Sequence, residues 1–209
     1  MTKANLLKRA LSASNCVISV MGDHAGEPPE AIFKRKIADI REVKQTFWLI
    51  KSPMAKPSLV QKLCADGKVY VLFISPATSG GARPAHASDR AVEYSRDGDI
   101  WRGFPTKLGP ITGNLTSRAY ALVLDALEIV EDGTADLWSY ADFVDVEKPI
   151  RMILGCSTIC AIKKDMARHP ERLKSRIRRI VAVGRIAKPY CVFVRRSSLQ
   201  KEPPPTVKS

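Results

Sequence analysis

Long apolar runs are missing from this chain of 209 residues. Its longest, such as VYVLFI at 69–74, have strand length and fall far short of the roughly 18 residues that span a bilayer, so no membrane insertion is expected. Histidine is scarce: His24, His86 and His169 are the whole supply, and none stands in a recognisable catalytic neighbourhood. Neither G-x-x-x-x-G-K-[ST] nor G-x-G-x-x-G occurs, so the two familiar phosphate-cradling loops are excluded. The N-terminal Lys3, Lys8 and Arg9 precede CVISVM in the manner of a targeting peptide, but the run is short and soon meets Asp23 and His24, which argues against secretion. Five cysteines, an odd number in a chain long enough to fold unaided, read as reduced thiols and a cytoplasmic location.

What is present is an ordinary globular composition, 45% hydrophobic and 26% charged, with a net charge of +13. Fibres and wholesale disorder are excluded. The positive field attracts nucleic acid, acidic protein surfaces or anionic lipid, which names a class of partner and no reaction.

The hydrophobic patterning predicts an α+β fold, a single domain over residues 1–200 with a strand-rich mixed or antiparallel sheet, or partly open barrel, and a few helices. Leu6, Leu7, Ala10 and Leu11 lie on one side of a short helix within residues 1–12. Phe33, Ile37 and Ile40 mark one face of a second helix that follows Pro28 and Pro29, with Lys34, Arg35, Lys36, Arg41 and Lys44 on its other sides. Strands are expected at 47–50, 69–74 and 119–130, and again at RMILGC, RIVAVGRIA and YCVFVRR. SLVQKLCADG reads as a short helix with Ser58 as N-cap and Gly67 near its end. Residues 75–113 lack periodicity, with a hairpin expected at Asp97 and Gly98, and KEPPPTVKS at 201–209 is expected to be a disordered proline-rich tail.

Charge is concentrated near the C-terminus, where twelve basic residues between Lys163 and Arg196 face only Asp165 and Glu171. Pro170 can open a helix through Arg179 that buries Leu173, Ile177 and Ile180 and leaves its other faces cationic. Arg172, Lys174, Arg176, Arg178 and Arg179, joined by Arg185, are therefore the candidate binding residues, their side chains suited to phosphate or carboxylate oxygens. Arg83 joins them from SPATSGGARPAH, a glycine-containing segment able either to cradle an anion on its backbone N–H groups or to serve only as a turn.

Catalytic and metal chemistry find less support. Cys156, Cys160 and His169 lack the second short ligand pair of a zinc site, and the cysteines sit in the apolar GCSTICAI, which suits buried thiols. Ser157 misses the nucleophile elbow because Ile159 stands where glycine is required. Asp145 and Glu147 resemble part of a nuclease metal site, although Lys148 is adjacent to Glu147 and not two residues on. Phe47, Trp48, Tyr94, Trp101, Phe104, Trp138 and Tyr140 are able to stack on bases or to pack a core; for Phe47 and Trp48 the core is favoured, and Trp101 is expected at the surface. No cofactor, metal or catalytic residue is assigned.

Two resemblances bear on function. FWLIKSPMAKPSLVQKL, a strand followed by a short helix, looks somewhat like the opening of PUA-like, EVE and YTH domains, which implies a small β-barrel that reads modified nucleobases. FWLIKSPMAKP, FISPATSGGARPAH, GPITGNLTSRAYALVLDAL and LGCSTICAIKKDM resemble a plasmid-encoded family of fertility-inhibition proteins. That resemblance implies a protein partner, the hexameric coupling ATPase or another transfer component, and an inhibitor of the conjugation of a co-resident plasmid. The expected function is thus protein binding without catalysis. The alternatives are a nucleic-acid-binding protein that places the same basic face on DNA or RNA, and a metal-dependent nuclease using Asp145 and Glu147.

Overall fold

The structure, a computed structural model, describes residues 6–21, 28–50, 54–76, 108–110, 120–150, 158–164 and 177–194. In chain order these form α1 (Leu6–Ser12), β1 (Asn15–Val20), α2 (Pro29–Val43), β2 (Thr46–Ile50), α3 (Pro57–Ala65), β3 (Tyr70–Ile74), β4 (Leu108–Pro110) and β5 (Tyr120–Ile129). There follow β6 (Thr134–Asp136), a 3-10 turn (Leu137–Ser139), β7 (Tyr140–Asp142), β8 (Thr158–Lys163) and β9 (Ile177–Val194). The fold is α+β, and its sheet is mixed and open. Strand order is β2-β5-β9-β3-β1-β8-β7, with β4 and β6 paired to opposite ends of β9. Among the described pairings β1 and β3 are parallel and the others antiparallel.

Both faces of the sheet are buried, so its inner strands are continuous apolar runs and not half-polar alternations. Val71 and Phe73 of β3 lie in the core shared with α2 and α3, whereas Tyr70, Leu72 and Ile74 lie in the core on the α1 side. Phe33 of α2, Trp48 of β2 and Phe73 of β3 form an aromatic cluster with ring centroids 4.4–5.6 Å apart. Phe47 and Trp48 are therefore core residues, as expected. Two-sided burial also explains β1 and β8, which sequence patterning passed over. CVISV, the apolar part of the targeting-like run, is a central strand, and TICAIK pairs with it from Asn15–Ile162 to Ser19–Thr158.

Several local expectations change. The helix expected after Pro28 and Pro29 is α2, with Pro28 as its N-cap and Pro29 already its first residue, but the buried face is Ile32, Phe33 and Lys36, so Lys36 is a core residue and not surface decoration. Ser58 lies inside α3; Lys56 is the N-cap and Pro57 the first helical residue. RIVAVGRIA and YCVFVRR belong to one strand, β9, through Val194. Residues 187–190 bulge from it between the pairs Leu124–Ile186 and Leu122–Cys191, and Tyr190 takes φ 71°. The expected helix at 170–179 is overturned over its last residues: Ile177, Arg178 and Arg179 extend β9 and pair with Asp136, Ala135 and Thr134. The strand expected at RMILGC, the hairpin at Asp97, the proline-rich tail and Trp101 lie outside the described residues.

Cys16, Cys64, Cys160 and Cys191 are free and buried. Burial pushes the Cys16 and Cys64 thiols up to about 12 and raises those of Cys160 and Cys191 as well, which makes them inert packing groups. Among the described residues no helix is long and apolar enough to cross a membrane.

Candidate functional site

The start of β9 carries two of the sequence-predicted cations. It is held on one side by β6 and on the other by the Ser75 N–H, which donates to the Arg179 carbonyl at 2.9 Å. Ile180 N–H donates to Gly133 O at 2.8 Å. Gly133 is needed in that turn, because a Cβ there would stand 2.7 Å from Val130 Cγ1. Arg178 Nη1 donates to the Ile177 carbonyl at 3.0 Å and Arg179 Nη2 to the Glu131 carbonyl at 3.4 Å. Neither guanidinium meets a carboxylate among the described residues.

The geometry also limits this pair. Successive strand residues alternate between faces, so Arg178 and Arg179 leave β9 on opposite sides and do not present one cationic surface. Glu131 and Asp132 stand exposed in the turn beside Arg179, and Asp136 pairs opposite Ile177, which dilutes the local positive field. The Asp136 carboxylate is itself engaged, accepting from Trp138 N–H at 3.0 Å.

Arg185 has a different environment. Its Nε and Nη2 donate to Asp125 Oδ1 and Oδ2 at 2.7 and 3.0 Å, a two-point fork between β9 and β5. This hydrogen bonding, with the carboxylate charge, holds the guanidinium above its ordinary pKa. At about 3.3 Å per residue, Arg185 lies some 20 Å along the strand from Arg179. Arg185 is thus a sheet fastener and no part of a common docking face with the other two. Arg83, Arg172, Lys174 and Arg176 lie outside the described residues.

The remaining candidates resolve into structure. Asp145 and Glu147 are exposed in the turn after β7, where Lys164 Nζ donates to Glu147 Oε1 at 2.6 Å and to Val146 O at 3.0 Å. Among the described residues no three His, Cys, Asp or Glu side chains gather to hold a metal ion. Cys160 is buried within β8; Cys156, Ser157 and His169 lie outside the described residues. Trp138 and Tyr140 are each 3% exposed, so they are core and not stacking platforms. Among the described residues the exposed large hydrophobics are Val43, Val144, Val146 and Ile177, and none carries an aromatic ring.

Sequence reading missed Lys36. Its ammonium donates to Phe47 O at 2.6 Å and stands 5.2 Å from the Trp48 ring centroid, joining α2 to β2 through a buried cation. Beside it, Asp39 accepts from Thr46 Oγ1 at 3.3 Å, and burial pushes its carboxyl above the ordinary value against the opposing pull of Lys36. The available signal was spacing, since Lys36 follows Ile32 and Phe33 by four and three residues and shares their face.

No family model, curated protein or solved structure matches the chain. The cations of the described surface divide into those that donate to main-chain carbonyls, such as Arg178, Arg179 and Lys44, and those that meet carboxylates, such as Lys34, Lys164 and Arg185.

Proposed function

We propose that this chain is a non-enzymatic, basic interaction protein that works by occupying an acidic surface on another macromolecule. In the form implied by its resemblance to fertility-inhibition proteins, that surface belongs to the conjugative coupling ATPase or another transfer component, and occupancy blocks transfer of a co-resident plasmid. The reading is carried by the charge of +13 combined with cations that meet carbonyls and not carboxylates among the described residues, as at the exposed Arg179 and the half-buried Arg178. Such groups steer association and select partners by complementarity of charge.

Mating assays with donors expressing the chain, scored against several plasmid types, test this function. Selective loss of one plasmid's transfer is the expected result; unchanged transfer of every type removes the proposal. Binding to a transfer component should survive nuclease treatment. A nucleic-acid binder would instead show affinity falling linearly with salt on logarithmic axes, with a slope set by the number of phosphates contacted.

A further inference from the structure

We propose that the surface formed by the C-terminus of α2 and the bulge of β9 is a docking site for an acidic, partly apolar polypeptide segment. The start of β9 splits its cations between two faces, but here they converge. Arg41 lies in the last turn of α2, and Lys44 is the C-cap, its backbone at φ 68° and its N–H donating to Ile40 O at 3.0 Å. Lys44 Nζ donates to the Arg41 carbonyl at 3.2 Å, and the side chain of the next residue, Gln45, donates to Lys188 O at 3.4 Å, which ties the helix end to the bulge. Arg41, Lys44 and Lys188 are all exposed, and none meets a carboxylate among the described residues. The acids near them are Glu42, exposed on the neighbouring side of the helix, and Asp39, half-buried and bonded to Thr46.

The bulge explains why Lys188 is available. Between the pairs Leu124–Ile186 and Leu122–Cys191, residues 187–190 stand opposite Val123 alone, so the extra backbone is lifted out of the ladder. Lys188 and Pro189 are exposed, while Tyr190, in the left-handed region, packs against the core. An outlying backbone angle in a bulge is a feature that recurs at functional sites.

The choice between two anionic partners follows from the apolar residues. Val43, 42% exposed, closes the same last turn of α2 as Arg41, and Pro189 adds a second exposed apolar surface. A base-stacking surface requires an exposed aromatic ring, and Tyr190 turns inward here. Cations beside exposed aliphatic groups suit carboxylates next to an aliphatic side chain. The inference rests on the binding reading and adds to it the place and the partner's chemistry.

Fluorescence anisotropy at low salt with the full chain tests it, using a labelled peptide of glutamates around a central leucine pair and, for comparison, labelled oligo-thymidylate. Combined Arg41→Glu, Lys44→Glu and Lys188→Glu should weaken peptide binding at least about tenfold, whereas Lys62→Glu with Lys68→Glu, at exposed lysines in α3 and just after it, should leave it within about threefold. Cations at a helix C-terminus also stabilise the helix, so the corresponding glutamine variants, with melting temperatures measured, separate lost docking from lost folding. Equal losses from both variant sets overturn the placement and leave the binding function standing. Tighter binding of oligo-thymidylate, lost in the triple variant, overturns the choice of partner. Absence of binding to both probes overturns the inference, and mating assays then judge the binding function by themselves.

Discussion

Ile177 and Ile180 stand three residues apart on one strand, one 55% exposed and the other fully buried, and the arginines of β9 divide in the same way. Before Ile180 the strand is a surface, where Arg178 and Arg179 donate to main-chain carbonyls. After it the strand is interior, enclosed by β3 and β5, and Arg185 is held in a fork by Asp125. A run of like charge in sequence is therefore not a face in space. The strand's alternation and its burial gradient decide which cations hold the sheet together and which meet solvent.

The contrast is sharpest in stability. Ile180→Ala should destabilise the protein by about 3 kcal/mol, through lost transfer energy and the cavity left behind, and lower the melting temperature by on the order of 10 °C. Ile177→Ala should stay within about 0.5 kcal/mol. Similar denaturation midpoints for the two variants would dissolve the boundary drawn at Ile180. A smaller effect is expected for the arginines. Arg185→Ala should cost about 1–2 kcal/mol, reduced from a fully buried fork because both side chains remain about 30% exposed. Arg178→Ala and Arg179→Ala should each stay within about 0.5 kcal/mol. A double-mutant cycle on Arg185 and Asp125 that returns no coupling energy would show the fork to be incidental.

The smallest effect is a pH dependence at Asp39, a half-buried carboxylate that lacks such a fork. Burial raises its folded pKa above the ordinary 3.8. As pH rises through that value the unfolded carboxyl ionises first and the folded state retains more protons, so stability falls until the folded group has ionised too. Asp39→Asn removes this loss, and its stability relative to the parent should climb with pH across that window. Parallel curves for variant and parent in urea titrations from acid to neutral pH would contradict the assigned burial.

Much of the architecture was legible because local signals agreed. Pro28 and Pro29 announced α2, and the β-branched and aromatic residues of VYVLFI and YALVLDALEI announced β3 and β5. β1 and β8 were harder, because a short apolar run buried on both faces has no period to distinguish it from a targeting run or a core segment. The end of the supposed basic helix was misread for a related reason. The spacing of Leu173, Ile177 and Ile180 fits a helical face, but a distant partner, β6, supplies a ladder at residues 177–179 that local spacing does not register. At the candidate sites, charge was visible while its use was not: Asp125 lies 60 residues from Arg185, and Lys188 reaches Gln45 across 143.

By itself the sequence determined the sign of the protein's field, the α+β class, and which apolar runs must be withdrawn from water, since charge and hydrophobicity belong to residues wherever they end up. Tertiary structure alone decided that Lys36 goes inward, that Arg185 fastens two strands, and that Arg41, Lys44 and Lys188 gather at one corner. Each of these depends on a hydrogen-bond partner or an enclosing surface brought from elsewhere in the chain, and the register of a sheet is what sets those distances.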